Sequence, residues 1–345
     1  MRRRSLGAAI TISFLLGCTR GPLDDTGLRS GYPSSASATA PLFTSVLSSF
    51  SAKPILAAPA PKRPASIASV SSEPAPPTAA RAPVYPWLAD PAAGLPPPAG
   101  ALVERFAPPP GFTRVALDAG TFGAWLRRLP LAPPGTSVVS YRGDLILRAD
   151  HANLAVVVAL DIGARDLQQC ADSIIRLHAE WLYARGRRDM SYRAASGTPM
   201  PFTRWAQGER MVPEGNALRW APRARPDAGR AAFRGWLDAV FGWANTGSLA
   251  RDTDTVALDD LRPGDFVVQP GAPGHAVLVL DVARAPDGRR ALLLGQGFMP
   301  AQSFHVLRPS GRDGPWFVVE PGDRALATPF WAPFPWKALR RFPGA

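Results

Sequence analysis

The chain has 345 residues, with 39 Lys and Arg against 27 Asp and Glu, which gives a formal net charge of +12 at pH 7. This charge is almost all arginine and is scattered in pairs such as Arg127-Arg128 and Arg289-Arg290. Nucleic-acid-binding proteins gather their basic residues into a stripe with interleaved stacking aromatic residues. The scatter therefore predicts a solvated surface and no nucleic-acid partner.

The first 17 residues have the organisation of a bacterial signal peptide. Three arginines precede the apolar run Leu6–Leu16, which is shorter than the ~20 residues that a transmembrane helix needs. The run ends in Leu15-Leu16-Gly17-Cys18, which resembles a lipobox and implies that a lipid on Cys18 anchors the chain to a membrane. Thr19 follows, and its resemblance to Gram-negative sorting patterns implies the outer membrane of the cell envelope, facing the periplasm or the surface. An ordinary secretory signal, cut nearby, is the alternative.

A segment rich in proline, alanine and serine extends from Cys18 to about residue 100. It contains stretches such as Glu73-Pro74-Ala75-Pro76-Pro77 and shows no apolar period of 3.6 or 2 residues. Such a composition buries too little apolar area to offset the entropy lost on ordering, so we predict a disordered tether over residues 18–100. Residues 101–345 are then one globular domain with a substantial core.

Helix signals dominate the first half of the globular part. Thr121–Leu129 is predicted as a short helix, and Leu167–Arg185 carries apolar residues at three- and four-residue steps before Gly186 ends it. Arg230–Arg251 has a broad apolar face and is the third predicted helix.

Strand signals cluster later in the chain. The β-rich runs are residues 137–141, 154–160, 266–269, 275–282, 290–296 and 303–307. Between two of them, Pro286-Asp287-Gly288 is typical of a hairpin turn. Helices followed by hairpin-connected strands predict an α+β fold with an antiparallel sheet.

The chain has only two cysteines, so lipidation of Cys18 leaves Cys170 without a partner in an oxidising compartment. Such a thiol is either buried and inert or kept for its reactivity. Cys170 lies near the first turn of its predicted helix, where unpaired N–H groups and the helix dipole stabilise a thiolate. It shares a face with Ile174 and Leu177, which directs it at the sheet. A general base must then come from a strand, and His275 begins one.

The other histidines give weaker candidates. His305 competes with His275 for the role of base, whereas His178 is interpreted as a partly exposed helix residue and His151 as a loop residue. No local pattern such as C-x-x-C or H-x-x-x-H occurs, so no metal or other cofactor is predicted. Asp166 and Asp172 flank the start of the cysteine helix and are interpreted as helix caps.

One resemblance rests on two segments, Pro263-Gly264-Asp265-Phe266-Val267-Val268 and Gly274-His275-Ala276-Val277-Leu278-Val279. They are similar to the strand–loop–strand pattern of papain-like bacterial amidases and cell-wall endopeptidases of the NlpC type. The resemblance implies a papain-like fold in which Cys170 is the nucleophile and His275 the base. A third polar residue on the next strand then orients the imidazole ring. If the hairpin turns near Asp287, Val277 pairs with Gln296 and places that glutamine one diagonal step from His275.

Gln296 is therefore the predicted third member of the triad, its amide oxygen holding the ring N–H as asparagine does in papain-like sites. NlpC-type enzymes more often use histidine at this place. Papain-like peptidases usually carry an oxyanion-hole glutamine several residues before the cysteine. Here Gln168 and Gln169 stand two and one before it, and either is a candidate donor to an oxyanion.

A narrower resemblance covers nearly the whole globular part. The sequence from about residue 104 is similar to a bacterial family known as domain of unknown function 4846, a name that implies no activity. The matching stretches are residues 121–131, residues 165–172, Gly274-His275-Ala276-Val277 and residues 298–307.

Two hypotheses of function follow. In the first, an envelope lipoprotein cleaves or transfers an amide bond through a thioester on Cys170, and family resemblance makes a peptidoglycan peptide the leading substrate. In the second, a catalytically inactive papain-like module binds an envelope component or a partner protein, and Cys170 is packed in the core. The sequence leaves the oligomeric state open.

Overall fold

The computed structural model describes residues 84–215 and 217–345. The predicted signal peptide, Cys18 and most of the predicted tether lie outside these residues. Single turns of 3-10 helix occupy Pro86–Ala89, Pro91–Ala93, Leu258–Asp260 and Trp336–Ala338. The α-helices of the described residues are α1 (Leu102–Arg105), α2 (Phe122–Leu126), α3 (Cys170–Ala184), α4 (Phe202–Ala206), α5 (Arg230–Trp243) and α6 (Thr246–Arg251).

The strands outnumber the helices and are mostly short. In chain order they are β1 (Thr113–Arg114), β2 (Val138–Val139), β3 (Leu145–Leu147), β4 (Leu154–Val157), β5 (Ser191–Arg193), β6 (Pro199–Pro201), β7 (Glu209–Glu214), β8 (Ala217–Pro222), β9 (Asp254–Thr255), β10 (Phe266–Gln269), β11 (His275–Arg284), β12 (Arg290–Gln296), β13 (His305–Leu307), β14 (Trp316–Val319), β15 (Ala325–Leu326), β16 (Phe334–Pro335) and β17 (Leu339–Arg341).

A nine-stranded antiparallel sheet organises the part of the chain that the structure describes. Its strand order is β4-β13-β12-β11-β10-β17-β9, with β1 beside β11 and β14 beside β12. Helix α3 packs against β11 and β12 on one face. Along β11, Leu278 and Leu280 enter the core shared with α3, whereas Val277 and Val279 enter a second core on the opposite face. The predicted α+β class with an antiparallel sheet is confirmed.

The hairpin between β11 and β12 has the predicted turn and register. Ala285 and Arg289 are joined by a backbone hydrogen bond across the turn, and Gly288 adopts the left-handed φ of 90° that glycine tolerates. Leu278 pairs with Gly295, and continuing that register by one residue sets Val277 opposite Gln296. The pairing predicted from the sequence is therefore confirmed.

All three predicted helices have different limits in the structure. The helix predicted over Thr121–Leu129 is the shorter α2, Phe122–Leu126. The helix predicted from Leu167 starts at Cys170, because backbone hydrogen bonds from Leu167 and Gln169 close tight turns before it. The segment predicted as Arg230–Arg251 is two helices, α5 and α6. The side chain of Asn245 ends the continuity by accepting a hydrogen bond from the Ser248 N–H at 2.8 Å, which caps α6.

The folded unit begins before residue 101, where the sequence prediction ended the tether. The Trp87 side chain is fully buried, and its indole N–H donates to the Ala159 carbonyl oxygen at 2.6 Å. Tyr85 packs on Trp125 with a ring-centroid distance of 4.9 Å. The predicted end of the tether at residue 100 is thus wrong, because two aromatic side chains supply the apolar area that the surrounding Pro/Ala sequence lacks.

Among the described residues, no helix has both the length and the apolar composition that crossing a membrane requires.

The predicted exposure of His178 is wrong, because this side chain is buried with its ring stacked 3.9 Å from that of Phe342. His178 Nδ1 lies 2.9 Å from the Tyr192 hydroxyl. Helix α3 is therefore buried on more than the face that carries Cys170.

Candidate active site

Cys170 is the first residue of α3 and lies against the main chain at the start of β11. Its side chain is only 4% exposed. The sulfur lies 4.0 Å from the Gly274 carbonyl oxygen. The N–H groups of Ala171 and Ala276, with that of Cys170 itself, face the sulfur. The thiol is thus enclosed by a helix N-terminus and the residues on either side of His275.

The resting thiol is protonated at neutral pH. Burial raises the pKa of Cys170 to about 11, and the nearby carboxyl of Asp172 acts in the same direction. The surrounding N–H groups lower this pKa but do not offset the burial. Burial also raises the pKa of Asp172 to about 8, so that side chain is mostly uncharged at neutral pH. At neutral pH the Cys170 thiol is therefore uncharged, and so is the Asp172 carboxyl for the most part.

Three neighbouring strands bring His275, Gln296 and His305 into one row. His275 is the first residue of β11, Gln296 the last of β12, and His305 the first of β13. Gln296 pairs directly with His305 in the sheet, and all three side chains are buried. The row begins near the N-terminus of α3, since the Cys170 sulfur lies against Gly274 and Gly297 lies against Ser173.

A chain of hydrogen bonds fixes the tautomers of His275 and His305, the two histidines of this row. The Ser303 carbonyl oxygen can only accept, so His305 Nδ1, 2.9 Å away, carries a proton. His305 Nε2 is then an acceptor and faces the Gln296 amide nitrogen at a longer distance of 3.5 Å. This turns the Gln296 oxygen toward His275, whose Nε2–H donates to it at 2.9 Å. The lone pair of His275 is left on Nδ1.

His275 Nδ1 is a buried atom without a hydrogen-bond partner in the structure. Burial lowers the pKa of His275 to about 4, and His305 acts in the same direction, whereas the hydrogen bond to Gln296 opposes both. Burial also lowers the pKa of His305 to about 4. Both rings are therefore neutral at pH 7, as the tautomers require. His275 is therefore a neutral ring whose acceptor nitrogen has no hydrogen-bond partner.

The structure thus joins His275 to Gln296 and places Cys170 beside the main chain that flanks His275. Within the described residues, no hydrogen bond links the Cys170 sulfur to the His275 ring. Gly297, which follows β12, allows the end of this strand to lie close to α3. A Cβ at this position would overlap the side chain of Ser173 in the first turn of α3. His305, predicted as an alternative base, instead lies two strands from His275 with Gln296 between them.

The two glutamines proposed for the oxyanion site have other partners. The Gln168 side chain is fully buried, its amide nitrogen 3.3 Å from the Asp161 carbonyl oxygen and its amide oxygen 3.0 Å from Arg176. Both ends of the Gln168 amide are therefore already in hydrogen bonds with these other groups. The Gln169 amide nitrogen donates to Asp166 at 3.0 Å. The donors that face the sulfur are the backbone N–H groups of Cys170 and Ala171 at the start of α3 and of Ala276 in β11.

The two aspartates at the helix start have different functions in the fold. One carboxylate oxygen of Asp172 accepts a hydrogen bond from the Gln169 N–H at 3.2 Å, as expected of a cap, while the other has no partner. Asp166 instead accepts from the Ala301 N–H at 2.7 Å, which ties the segment before α3 to the segment after β12. The prediction of a cap is confirmed for Asp172 and not for Asp166.

A buried charged cluster, which was not predicted from the sequence, supports the start of α3. Arg176 is fully buried, and its guanidinium lies 2.9 Å from Asp161 and 2.7 Å from Glu180. Glu180 is also buried and lies 2.6 Å from Arg230. Arg176 and Glu180 are four residues apart on one helix, which is a signal that the sequence contains. Asp161, the other ion partner of Arg176, lies outside the helix, and the sequence gives no such signal for it.

Aromatic rings pack around the His275 imidazole. The ring of Phe298 is 4.7 Å from the imidazole and that of Trp331 is 5.0 Å from it. Trp331 is held by its indole N–H, which donates to the Gln269 side chain at 3.2 Å. No local sequence pattern connects Trp331 with a histidine so much earlier in the chain. In the described part of the chain, no group of His, Cys, Asp and Glu is placed to hold a metal ion.

The sequence matches one family model over residues 102–341, a span that includes α1 to α6 and Cys170, His275 and Gln296. The chain belongs to the family described as Domain of unknown function (4846). The resemblance to this family, identified from residues 121–131, 165–172, 274–277 and 298–307, is thereby confirmed. No curated protein and no solved structure matches the chain.

Proposed function

We propose that this family member is a cysteine-dependent amide-bond hydrolase or transferase with a papain-like fold of the NlpC type. The observation that carries the proposal is the hydrogen bond of 2.9 Å between His275 Nε2 and Gln296 Oε1, which leaves Nδ1 without a partner. The residues on either side of this histidine, Gly274 and Ala276, face the Cys170 sulfur with their main-chain groups. The nucleophile, the base and the group that orients the base then come from α3, β11 and β12.

In the proposed reaction, Cys170 Sγ attacks the carbonyl carbon of an amide while the thiol proton passes to His275 Nδ1. The C–N bond breaks, the imidazolium returns that proton to the departing amine, and the acyl group remains on sulfur as a thioester. Water then attacks the thioester, giving a proton to His275, and the thiol re-forms as the carboxylic acid leaves. When an amine replaces water, the same steps transfer the acyl group. Backbone N–H groups at the start of α3 stabilise the oxyanion.

The pKa values favour general-base catalysis over a preformed ion pair. With the pKa of Cys170 raised to about 11 and that of His275 lowered to about 4, thiol and imidazole are both neutral between these limits. Proton transfer accompanies attack on the substrate rather than preceding it. The reaction rate then follows the neutral form of His275.

The first test is acylation of the full chain by p-nitrophenyl acetate, followed as an acetyl adduct by mass spectrometry. We expect one adduct, on Cys170, with a rate that rises through about pH 4 and is level between pH 6 and 8, because neutral His275 is the base. An unshifted histidine would place the rise near pH 6.5. Peptide mapping separates Cys170 from Cys18, the other cysteine of the chain.

Two variants complete this test. His275→Ala is expected to lower the acylation rate by about 10²–10⁴-fold, the usual contribution of a general base. His178→Ala is the matched control, since it removes a buried histidine that does not belong to the row His275–Gln296–His305. A thiol that acylates equally fast in the wild type and in His275→Ala would rule out the proposed base.

We also propose that the protein is lipid-anchored in the bacterial cell envelope through Cys18. The support is the lipobox-like segment Leu15–Cys18 and the basic residues before it. In a Gram-negative host, the mature protein is expected to begin at Cys18, to carry acyl chains there, and to fractionate with the outer membrane. Cys18→Ser is expected to shift it to the soluble fraction or leave the signal uncut, whereas Cys170→Ser stays in the membrane. A mature N-terminus elsewhere would overturn the proposal.

The substrate class follows from resemblance alone. NlpC-type enzymes and an envelope location together favour a peptide of the cell wall as the source of the amide bond.

A second function is favoured by a specific observation. The Cys170 thiol is only 4% exposed and its pKa is raised, which are the properties of an inert, packed cysteine. In this alternative, the domain is a non-catalytic module that binds an envelope component or a partner protein. An unreactive Cys170 in the folded chain, with normal reactivity in urea, is the result that would select it.

A further inference from the structure

Beside the row of three polar residues lies an apolar cleft that the proposed reaction does not use. Its volume is about 260 Å³, and Gln296 and Gln302 are its polar residues. None of its lining residues carries a formal charge. We call it the Met299 cleft, and its other lining residues are Ile146, Leu147, Phe298, Met299, Pro300 and Phe330.

The cleft is open to solvent and is bordered by exposed apolar side chains. Met299 is 38% exposed and Phe330 is 43% exposed. Phe330 also has a φ of 70°, and among the described residues it is the only one besides glycine with a positive φ. A phenylalanine in this left-handed region is strained, so the surrounding structure holds it there against its preference. Exposed apolar groups that line a concave surface mark a binding site more often than chance exposure does.

The cleft meets the proposed site at two residues. Gln296 lines the cleft and hydrogen-bonds His275 Nε2, and Phe298 lines it while its ring lies 4.7 Å from the imidazole. The cleft therefore lies at the Nε2 end of the ring. In the proposed reaction, the departing amine receives its proton from Nδ1, at the opposite end. The substrate part nearest the cleft is then the acyl side.

From these positions we infer that the Met299 cleft binds an uncharged, apolar acyl group of the substrate. The assignment of the cleft to the acyl side of the substrate rests on the proposed function. The apolar character of the bound group rests on the lining of the cleft itself. A charged acyl group would lose its hydration among apolar side chains with no ion partner in the lining. A chain of several methylenes, or one branched or aromatic group, gains by leaving water.

Binding is tested first without any chemistry. The full chain, labelled with ¹³C at its methionine methyl groups, is titrated with hexanamide or with glutaric acid monoamide, its charged counterpart. The Met299 signal, assigned with Met299→Leu, is expected to shift saturably with hexanamide and to remain unchanged with the charged amide. No shift with hexanamide, or equal shifts with both, would overturn the inference.

The second measurement compares acylation by p-nitrophenyl acetate and p-nitrophenyl hexanoate. The ratio of the acylation rate with hexanoate to that with acetate is expected to rise roughly fourfold for each methylene that the cleft buries. Met299→Glu is expected to reduce that preference at least tenfold, because it places a carboxylate beside the chain. Val84→Glu, at another exposed apolar position, is the control and should keep the wild-type ratio.

The two measurements separate this inference from the proposed function. A Met299 shift without acylation by either ester leaves the cleft as a binding site and removes the catalytic proposal. Acylation of Cys170 without a Met299 shift and without preference for hexanoate removes the cleft and leaves the catalytic proposal.

Discussion

Replacing His305 by phenylalanine is expected to slow acylation of Cys170 by about 10–100-fold, although His305 is two strands from His275. Phenylalanine keeps the buried ring but removes Nε2, the acceptor that faces the Gln296 amide nitrogen at 3.5 Å. The amide is then free to turn over and present its N–H to His275. That orientation favours the tautomer with a proton on Nδ1, so the lone pair that would take the thiol proton in the proposed reaction is lost. In that reaction His305 is a positioning residue that acts through Gln296.

The readout that distinguishes positioning from loss of packing is the tautomer itself. In the wild-type full chain, ¹⁵N spectra at pH 7 should show His275 with a protonated Nε2 and a bare Nδ1. In His305→Phe the bare nitrogen should move to Nε2 in a substantial fraction of the molecules. His178→Phe is the matched control, because it also exchanges a buried histidine ring for phenyl while leaving the row intact. Unchanged His275 nitrogens in a slowed His305→Phe variant would contradict the mechanism.

Arg176→Met is expected to destabilise the fold by about 3–5 kcal/mol, the range typical of breaking a buried ion pair. Arg176 is fully buried, 2.9 Å from Asp161 and 2.7 Å from Glu180. Methionine fills much of the volume but leaves carboxylates in the interior with fewer cations. Asp161 also loses the guanidinium that orders the segment before α3. The free energy of unfolding, measured in urea on the full chain at pH 7, tests the expectation.

The control is Arg187→Met, which removes an arginine from an exposed ion pair with Asp189. Both side chains of that pair are more than half exposed, so little change in stability is expected. An Arg176→Met variant no less stable than Arg187→Met would show that the buried pairs contribute little.

Acid sensitivity gives an independent check on the same cluster. Burial alone raises the pKa of Asp161, but Arg176, with Arg234 and Arg230, reverses this and leaves the pKa below its usual value. A lowered folded-state pKa stabilises the fold above the unfolded-state pKa, near 3.9, and the contribution is lost as pH falls through the folded value. The wild type should therefore lose stability below about pH 4. In Arg176→Met this acid-induced loss of stability should be smaller, because Asp161 no longer has the guanidinium that lowers its pKa.

Several elements of the site are predictable from the sequence. The β-rich runs 266–269 and 290–296 match β10 and β12, because their apolar residues and turn signals are local features. Hairpin geometry then sets Gln296 near His275 from the sequence alone, since a short turn fixes the register of the two strands. Cys170 at a helix start follows in the same way from the apolar period that begins there.

Other elements depend on contacts between distant segments. Trp87 falls within the predicted tether because its neighbours are mostly proline and alanine, yet it is buried against Ala159. His305 is a competing base by sequence, whereas the strand order β13-β12-β11 places it behind Gln296. Trp331 and Asp161, a partner of Arg176, have no predicted link to the site, because no local pattern joins them to the residues that they contact.

The sequence by itself determined the α+β class, the family, the cysteine at a helix start and the hairpin that joins His275 to Gln296. These properties depend on periodicity, turn chemistry and short-range pairing. Tertiary structure alone decided the histidine tautomers, the raised pKa of Cys170 and the open Met299 cleft. Each of these depends on burial and on hydrogen bonds between strands and loops far apart in the chain, which a local pattern does not encode.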